Sequence, residues 1–219
     1  MTGDPLRPRG RFAVLGSGGG TTAARLMDAV DDGVIAADVE VVIGNNSTSG
    51  IFTAARHHGV TTQHLSGKTH PDPAELDVAM LSVLEEAGVD LVVLAGYMKK
   101  LGTRVLSTFD GAILNTHPAL LPAYGGQGMY GDRVHAAVLA DGRSRTGVTV
   151  HQVTAEYDEG PVVAQAGVVV RPDDDVASLR TRVQAAEKDL LVDVVAAWFA
   201  DGGSPAGDVA ETSASVADA

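Results

Sequence analysis

The chain has 219 residues, with hydrophobic residues at 45% and charged residues at 20%, a length and balance that suit one ordinary soluble globular domain and exclude disordered and collagen-like classes. Sixteen Lys and Arg stand against 28 Asp and Glu, for a formal net charge of −12. Such a surface repels polyanions and excludes nucleic acid as the main partner, but leaves room for a small phosphorylated substrate in a locally positive pocket. The absence of Cys removes disulfides, thiolate zinc sites and cysteine nucleophiles together.

Residues 1–11 (MTGDPLRPRGR) mix Pro, Gly and charge without a period, which predicts a loose segment and no signal-peptide core. Residues 12–16 (FAVLG) read as a strand, followed by a Gly-rich turn and a helix over 21–30 carrying Ala24, Leu26, Met27 and Val30 at helical spacing. The cycle recurs as strand 39–44, helix 48–58, a short strand at 60–64, helix 73–87 opened by Pro73, and strand 91–95 (LVVLA). Continuous apolar strands alternating with helices predict a Rossmann-like, doubly wound α/β fold with a mostly parallel sheet covered on both faces. Beyond Asn115 the pattern changes: 147–154 (GVTVHQVT) and 161–170 (PVVAQAGVVV) are β-rich and joined by a turn, which predicts an antiparallel C-terminal extension. A helix over 176–199 closes a single domain spanning 12–202, and the Gly-, Ala- and Ser-rich stretch 203–219 is expected to be a disordered tail. No apolar run approaches the ~18 residues of a membrane span, so the expected location is the cytoplasm.

In doubly wound sheets ligands collect outside the carboxyl ends of the strands. Residues 17–22 (SGGGTT) stand there, between strand and helix. Their backbone N–H groups and hydroxyls can converge on a phosphate at the positive helix end, or the segment is simply a tight turn. No Lys-Ser/Thr pair follows the glycines, so the Walker pattern fails. Gly18, Gly20 and Ala23 fit the spacing of a dinucleotide fingerprint, but the second strand ends in Ile43, Gly44 and Asn45, without a carboxylate for a ribose hydroxyl. Asn115 and His117 precede a turn set by Pro118 and Pro122. An amide N–H and an imidazole held there suit oxyanion stabilisation and proton movement in acyl transfer, though the same pattern also serves as a structural cap. Asp158, on the loop between the two late strands, can return to that crevice and orient His117, or form an Asx-turn ahead of Gly160 and Pro161. His151 reads as a structural strand residue. His57, His58, His64 and His70 lack metal-ligand spacing, so no metal site is expected. Asp173, Asp174 and Asp175 read as the cap of the last helix, with Glu187 and Lys188 on its solvated side unless the fold turns them inward.

Taken together, VLGSGGGTT (14–22), DLVVLAGYMKKL (90–101), LNTHPALLPAYGG (114–126), GVTVHQVTAEYDEGPVVAQ (147–165) and RTRVQAAEKDLLVDVVAAWFADG (180–202) resemble the glycinamide ribonucleotide formyltransferase family of the folate-dependent formyltransferases, over residues 12–202. The resemblance implies transfer of a formyl group from 10-formyltetrahydrofolate, a co-substrate, to the primary amine of a phosphorylated glycinamide riboside in purine biosynthesis, without a metal, by a monomer or homodimer. It puts the family's catalytic Asn, His and Asp on Asn115, His117 and Asp158. The folate falls against Met98, Lys99, Leu101 and Asn115 and the loop of Thr154, Ala155, Glu156, Tyr157 and Asp158. The substrate phosphate falls on Gly20, Thr21 and Thr22, and its amine side near Glu187.

The chain departs from the common family pattern in four places. Thr21 and Thr22 replace Ser-Asn, Lys99 replaces an Arg, Asp72 and Pro73 stand where an Arg often reaches the substrate, and 125–133 (GGQGMYGDR) matches a minor branch. These departures keep formyl transfer to another amine, in specialised metabolism, as the alternative. A formyltetrahydrofolate hydrolase of this kind usually carries an N-terminal regulatory domain, which the short stretch before Phe12 is not expected to supply. A non-catalytic folate- or nucleotide-binding module would have no use for Asn115, His117 and Asp158 together.

Overall fold

A computed structural model describes residues 9–203 and the backbone of 210–211. Most of the two ends expected to be loose lies outside the described residues. Gly10 and Arg11, however, already belong to the first strand: the Arg11 N–H donates to the Asp90 carboxylate at 2.9 Å, and the Asp90 N–H donates back to the Arg11 carbonyl at 2.7 Å.

The elements run β1 (Gly10–Gly16), α1 (Thr21–Asp31), β2 (Ala37–Gly44), α2 (Ile51–His57), β3 (Thr61–His64), α3 (Pro73–Glu86), β4 (Leu91–Leu94), α4 (Thr103–Thr108), β5 (Ile113–His117), α5 (Asp132–Ala140), β6 (Arg145–Gln152), β7 (Val162–Val169), α6 (Val176–Ala200) and β8 (Ala210–Glu211). They form one sheet in the order β3-β2-β1-β4-β5-β6-β7-β8. The pairs from β3 through β5 are parallel, β5–β6 and β6–β7 are antiparallel, and the two-residue β8 lies parallel to β7. The expected doubly wound sheet with an antiparallel extension is what forms.

The apolar runs are continuous because both faces of the strands are covered. Phe12 and Val14 of β1 and Leu91 and Val93 of β4 face one core, shared with α1, α2 and α6. Ala13, Leu15, Val92 and Leu94 face the other, beneath α3 and α4. Side chains alternate across the strands with period two, so every second residue serves the opposite layer.

Helix α2 starts at Ile51, later than its apolar pattern predicts, because the Asn46 carboxamide oxygen accepts from the Thr48 N–H at 3.2 Å and the Thr48 hydroxyl at 3.0 Å and holds a turn there. Helices α4 and α5 carry no clear local signal. The start of α4 is capped from a distance by Asp77 of α3, whose carboxylate accepts from the Arg104 and Val105 N–H groups at 2.8 and 3.2 Å. Asp175 caps α6 as expected, in a capping box with Ser178.

Candidate active site

The Gly-rich segment after β1 is a backbone-lined cradle. Gly20 caps α1 with a φ of 79°, and a Cβ there would fall 2.5 Å from the Ile51 Cα. Only glycine serves both the conformation and the close approach. With no side chain at the cap, the first-turn N–H groups of α1 stay open toward an anion at the positive end of the helix. The segment is tied to its neighbours: the Ser17 hydroxyl accepts from the Met98 N–H at 2.8 Å, and the Ser49 hydroxyl donates to the Gly18 carbonyl. Glu187 is turned inward from α6 rather than solvated. Its carboxyl accepts from the Thr22 hydroxyl at 3.3 Å and is also hydrogen-bonded by the Thr116 hydroxyl, linking the cradle to β5. Burial pushes the Glu187 carboxyl above its ordinary value, and the two hydroxyls offset only part of that.

Asn115 and His117 lie two residues apart within β5, so both project from one face of the sheet. Antiparallel pairing sets His151 of β6 opposite Asn115 and Thr149 opposite His117. His117 is buried: its Nε2 lies 2.7 Å from the Tyr124 carbonyl, and its Nδ1 lies 3.4 Å from Asp158 Oδ2. Asp158 sits at a φ of 57° in the β6–β7 loop, where its Oδ2 also accepts from the Gly126 N–H at 2.9 Å. Its Oδ1 lies 3.6 Å from His151 Nε2, and that nitrogen is 3.1 Å from the Asn115 amide nitrogen. Four side chains therefore converge, one more than the sequence singles out. Thr149, fully buried, fastens the turn that follows: its hydroxyl donates to the Ala119 carbonyl at 2.7 Å and accepts from the Leu121 N–H at 3.0 Å.

Beside this cluster runs a narrow slot of about 80 Å³, lined by Lys99, Leu101 and Asn115 on one side and by Thr154, Ala155, Glu156, Tyr157 and Asp158 on the other. Lys100 lies across it, donating to the Ala155 carbonyl at 2.9 Å with its ammonium 4.5 Å from the centre of the Tyr157 ring. Tyr97, Lys99, Lys100 and Leu101 also border a larger cavity of about 720 Å³, which reaches Lys68, His64 and Asn45. Together the two spaces suit an elongated ligand with a flat ring at the cluster and an anionic end among lysines. Met98 stands outside the slot, exposed, with its backbone on Ser17.

His151, Lys100 and the Tyr124 carbonyl are groups of this crevice that sequence reasoning did not place there. For His151 a signal exists: once the two late segments pair as a hairpin beside β5, a histidine in alternation with Val150 falls on the Asn115 face.

Formyl transferase is the family whose profile matches residues 10–195. A phosphoribosylglycinamide formyltransferase of Mycobacterium tuberculosis is 39% identical over 192 residues, covering 88% of this chain and 86% of that protein. A chloroplastic phosphoribosylglycinamide formyltransferase of Arabidopsis thaliana is 38% identical over 202 residues, covering 89% of this chain and 69% of that one. Among solved structures, glycinamide ribonucleotide transformylase 1 from Symbiobacterium toebii superposes with a TM-score of 0.83 at 36% identity, covering 92% of this chain and 94% of that chain. A shared fold and similarity over most of both chains agree: the chain belongs to the formyl transferase family.

Proposed function

We propose that the protein moves the formyl group of 10-formyltetrahydrofolate to the primary amine of glycinamide ribonucleotide, with Asn115, His117 and Asp158 as its catalytic residues. The convergence of those three side chains beside the slot carries this reading. The folate lies in the slot against Lys99, Leu101 and the loop from Thr154 to Asp158, and its carboxylate tail runs into the larger cavity toward Lys68. The acceptor's phosphate rests on Gly20, Thr21 and Thr22, and Glu187 meets the amine side of the same substrate.

The donor supplies an activated formyl carbon; the protein supplies charge stabilisation and a proton path. As the neutral amine adds, negative charge grows on the formyl oxygen, and the Asn115 amide N–H donates to it. His117 acts doubly protonated: its Nε2–H is held by the Tyr124 carbonyl, which leaves Nδ1–H facing Asp158 and the reacting centre. Asp158 takes the proton lost by the amine, directly or through water, and delivers it to the departing folate nitrogen.

Among the described residues no helix is long and apolar enough to cross a membrane. We place the enzyme in the cytoplasm, with its two small-molecule substrates, as a single domain over 12–202 acting as a monomer or homodimer. The test is a spectrophotometric assay of purified protein with donor and glycinamide ribonucleotide beside an acceptor-free control. Acceptor-dependent release of deformylated folate is expected. Turnover without acceptor would instead identify a hydrolase, and silence in both would direct the search to other amines.

A further inference from the structure

The contacts of His151 define its protonation state by elimination. Its Nδ1 lies 2.8 Å from the Gln152 carbonyl, which only accepts, so Nδ1 carries a proton. Its Nε2 lies 3.1 Å from the Asn115 amide nitrogen, which only donates, so Nε2 is bare. Both contacts hold together only in the neutral Nδ1–H form. The same Nε2 stands 3.6 Å from Asp158 Oδ1. A proton there would remove the acceptor that Asn115 uses and create a donor for Asp158. We propose that His151 is a positioning residue for formyl transfer: neutral, it holds the Asn115 amide nitrogen at the reacting centre, and protonated, it releases Asn115 and draws Asp158 away from His117.

Two further observations support a ring poised this way. Burial lowers the affinity of His151 for a proton, so the Asn115-holding form is the one present near neutral pH. The charged groups facing it pull in opposite senses: Asp158 from the β6–β7 loop favours the proton, and His117 from β5 opposes it. Lys99, Lys100 and Glu156 lie farther out along the slot. The orientation of an Asn amide decides which of its ends a substrate oxygen meets. Turned over, Asn115 would present a carbonyl oxygen to a developing negative charge, so the device acts on kcat rather than on binding.

The inference rests on the roles given above to Asn115 and Asp158, and two measurements separate its failure from theirs. In full-length protein labelled with 15N-histidine, without substrates, His151 Nε2 should resonate as an unprotonated nitrogen near neutral pH. On acidification Nε2 should take a proton, and in uniformly 15N-labelled protein the Asn115 side-chain amide signals should shift with the same midpoint. In steady-state assays His151→Phe should lower kcat about tenfold or more with the KM of both substrates nearly unchanged, and His151→Gln, which restores an acceptor, should recover much of the loss. A protonated Nε2 near neutral pH overturns the proposal whatever the activity. An unimpaired His151→Phe beside an impaired Asn115→Ala overturns the positioning role alone. If both variants keep full kcat, the reading of the site falls and this inference falls with it.

Discussion

On the parallel side of the sheet the cradle after β1 is made mostly of backbone, and the cluster beside the antiparallel strands is made of side chains. The cradle after β1 forms because its glycines allow close packing: Gly20 packs on Ile51, and a Cβ on Gly50 would fall 2.5 Å from the Gly19 carbonyl. The cluster on β5 and β6 comes together because register puts Asn115 opposite His151 and His117 opposite Thr149, with Asp158 returning from the loop. A backbone cradle recognises charge on a part of the substrate that does not react, whereas a side-chain cluster meets charge only as it develops. Substitutions on the two sides should therefore split between KM and kcat.

The largest expected effect is on the antiparallel side. Asp158→Asn keeps an acceptor for the Gly126 N–H but removes the base, and His117→Ala removes a donor; each should lower kcat by about 10²–10⁴-fold with little change in KM. Steady-state kinetics under saturating donor would check this. A variant of either residue with unaltered kcat would move the chemistry off this half of the sheet.

Next comes the backbone side. Gly20→Ala forces a side chain into a positive-φ position and against Ile51, at a cost of about 1–3 kcal/mol for the conformation alone. Urea unfolding should show the loss, and KM for the phosphorylated acceptor should rise while kcat holds. Full stability with normal KM would mean that the cradle is not a close-packed anion site. Thr149→Val tests the other half by its scaffold. It deletes a fully buried hydroxyl bonded to Ala119, Leu121 and Gln165, for about 2 kcal/mol of stability. Because the turn after His117 loosens, kcat should fall with it; loss of stability alone would uncouple turn and chemistry.

The same contrast explains what was legible in the sequence. The parallel half reads directly, because buried strands are apolar without interruption and a cradle at a strand end needs glycines. Asn115 and His117 stand out by type and by the prolines after them, but placing them takes the family resemblance. His151 could not be separated from a core histidine until the register was known, since one residue of slip would turn it to the other face. Helix α4 was hidden for a related reason: its cap, Asp77, belongs to α3. Glu187 reads as a solvated charge on a long helix, and only packing of α6 against α1 brings it to Thr22.

A smaller effect belongs to the cradle's hydroxyls. Thr21→Ala should raise KM for the phosphorylated acceptor severalfold, on the order of 1 kcal/mol, with kcat unchanged, as expected for a ground-state contact. A fall in kcat instead would place Thr21 nearer the reaction than the phosphate.

The smallest effect joins the two sides. Glu187 bridges Thr22 of the cradle and Thr116 of β5, and burial raises its carboxyl above the ordinary 4.5. A group whose native value is raised binds its proton more tightly folded than unfolded. Its stabilising contribution is therefore complete below the unfolded value and is lost as pH rises through the native one. Glu187→Gln has the shape of the protonated acid and no titration, so it should lack that loss. Melting temperatures of the two proteins should nearly coincide in acid and separate in favour of Glu187→Gln as pH rises past the ordinary carboxyl value. A constant difference at every pH would mean that the carboxyl is not confined in the protein as it is between α1, β5 and α6, and that the two halves of the site meet without passing through it.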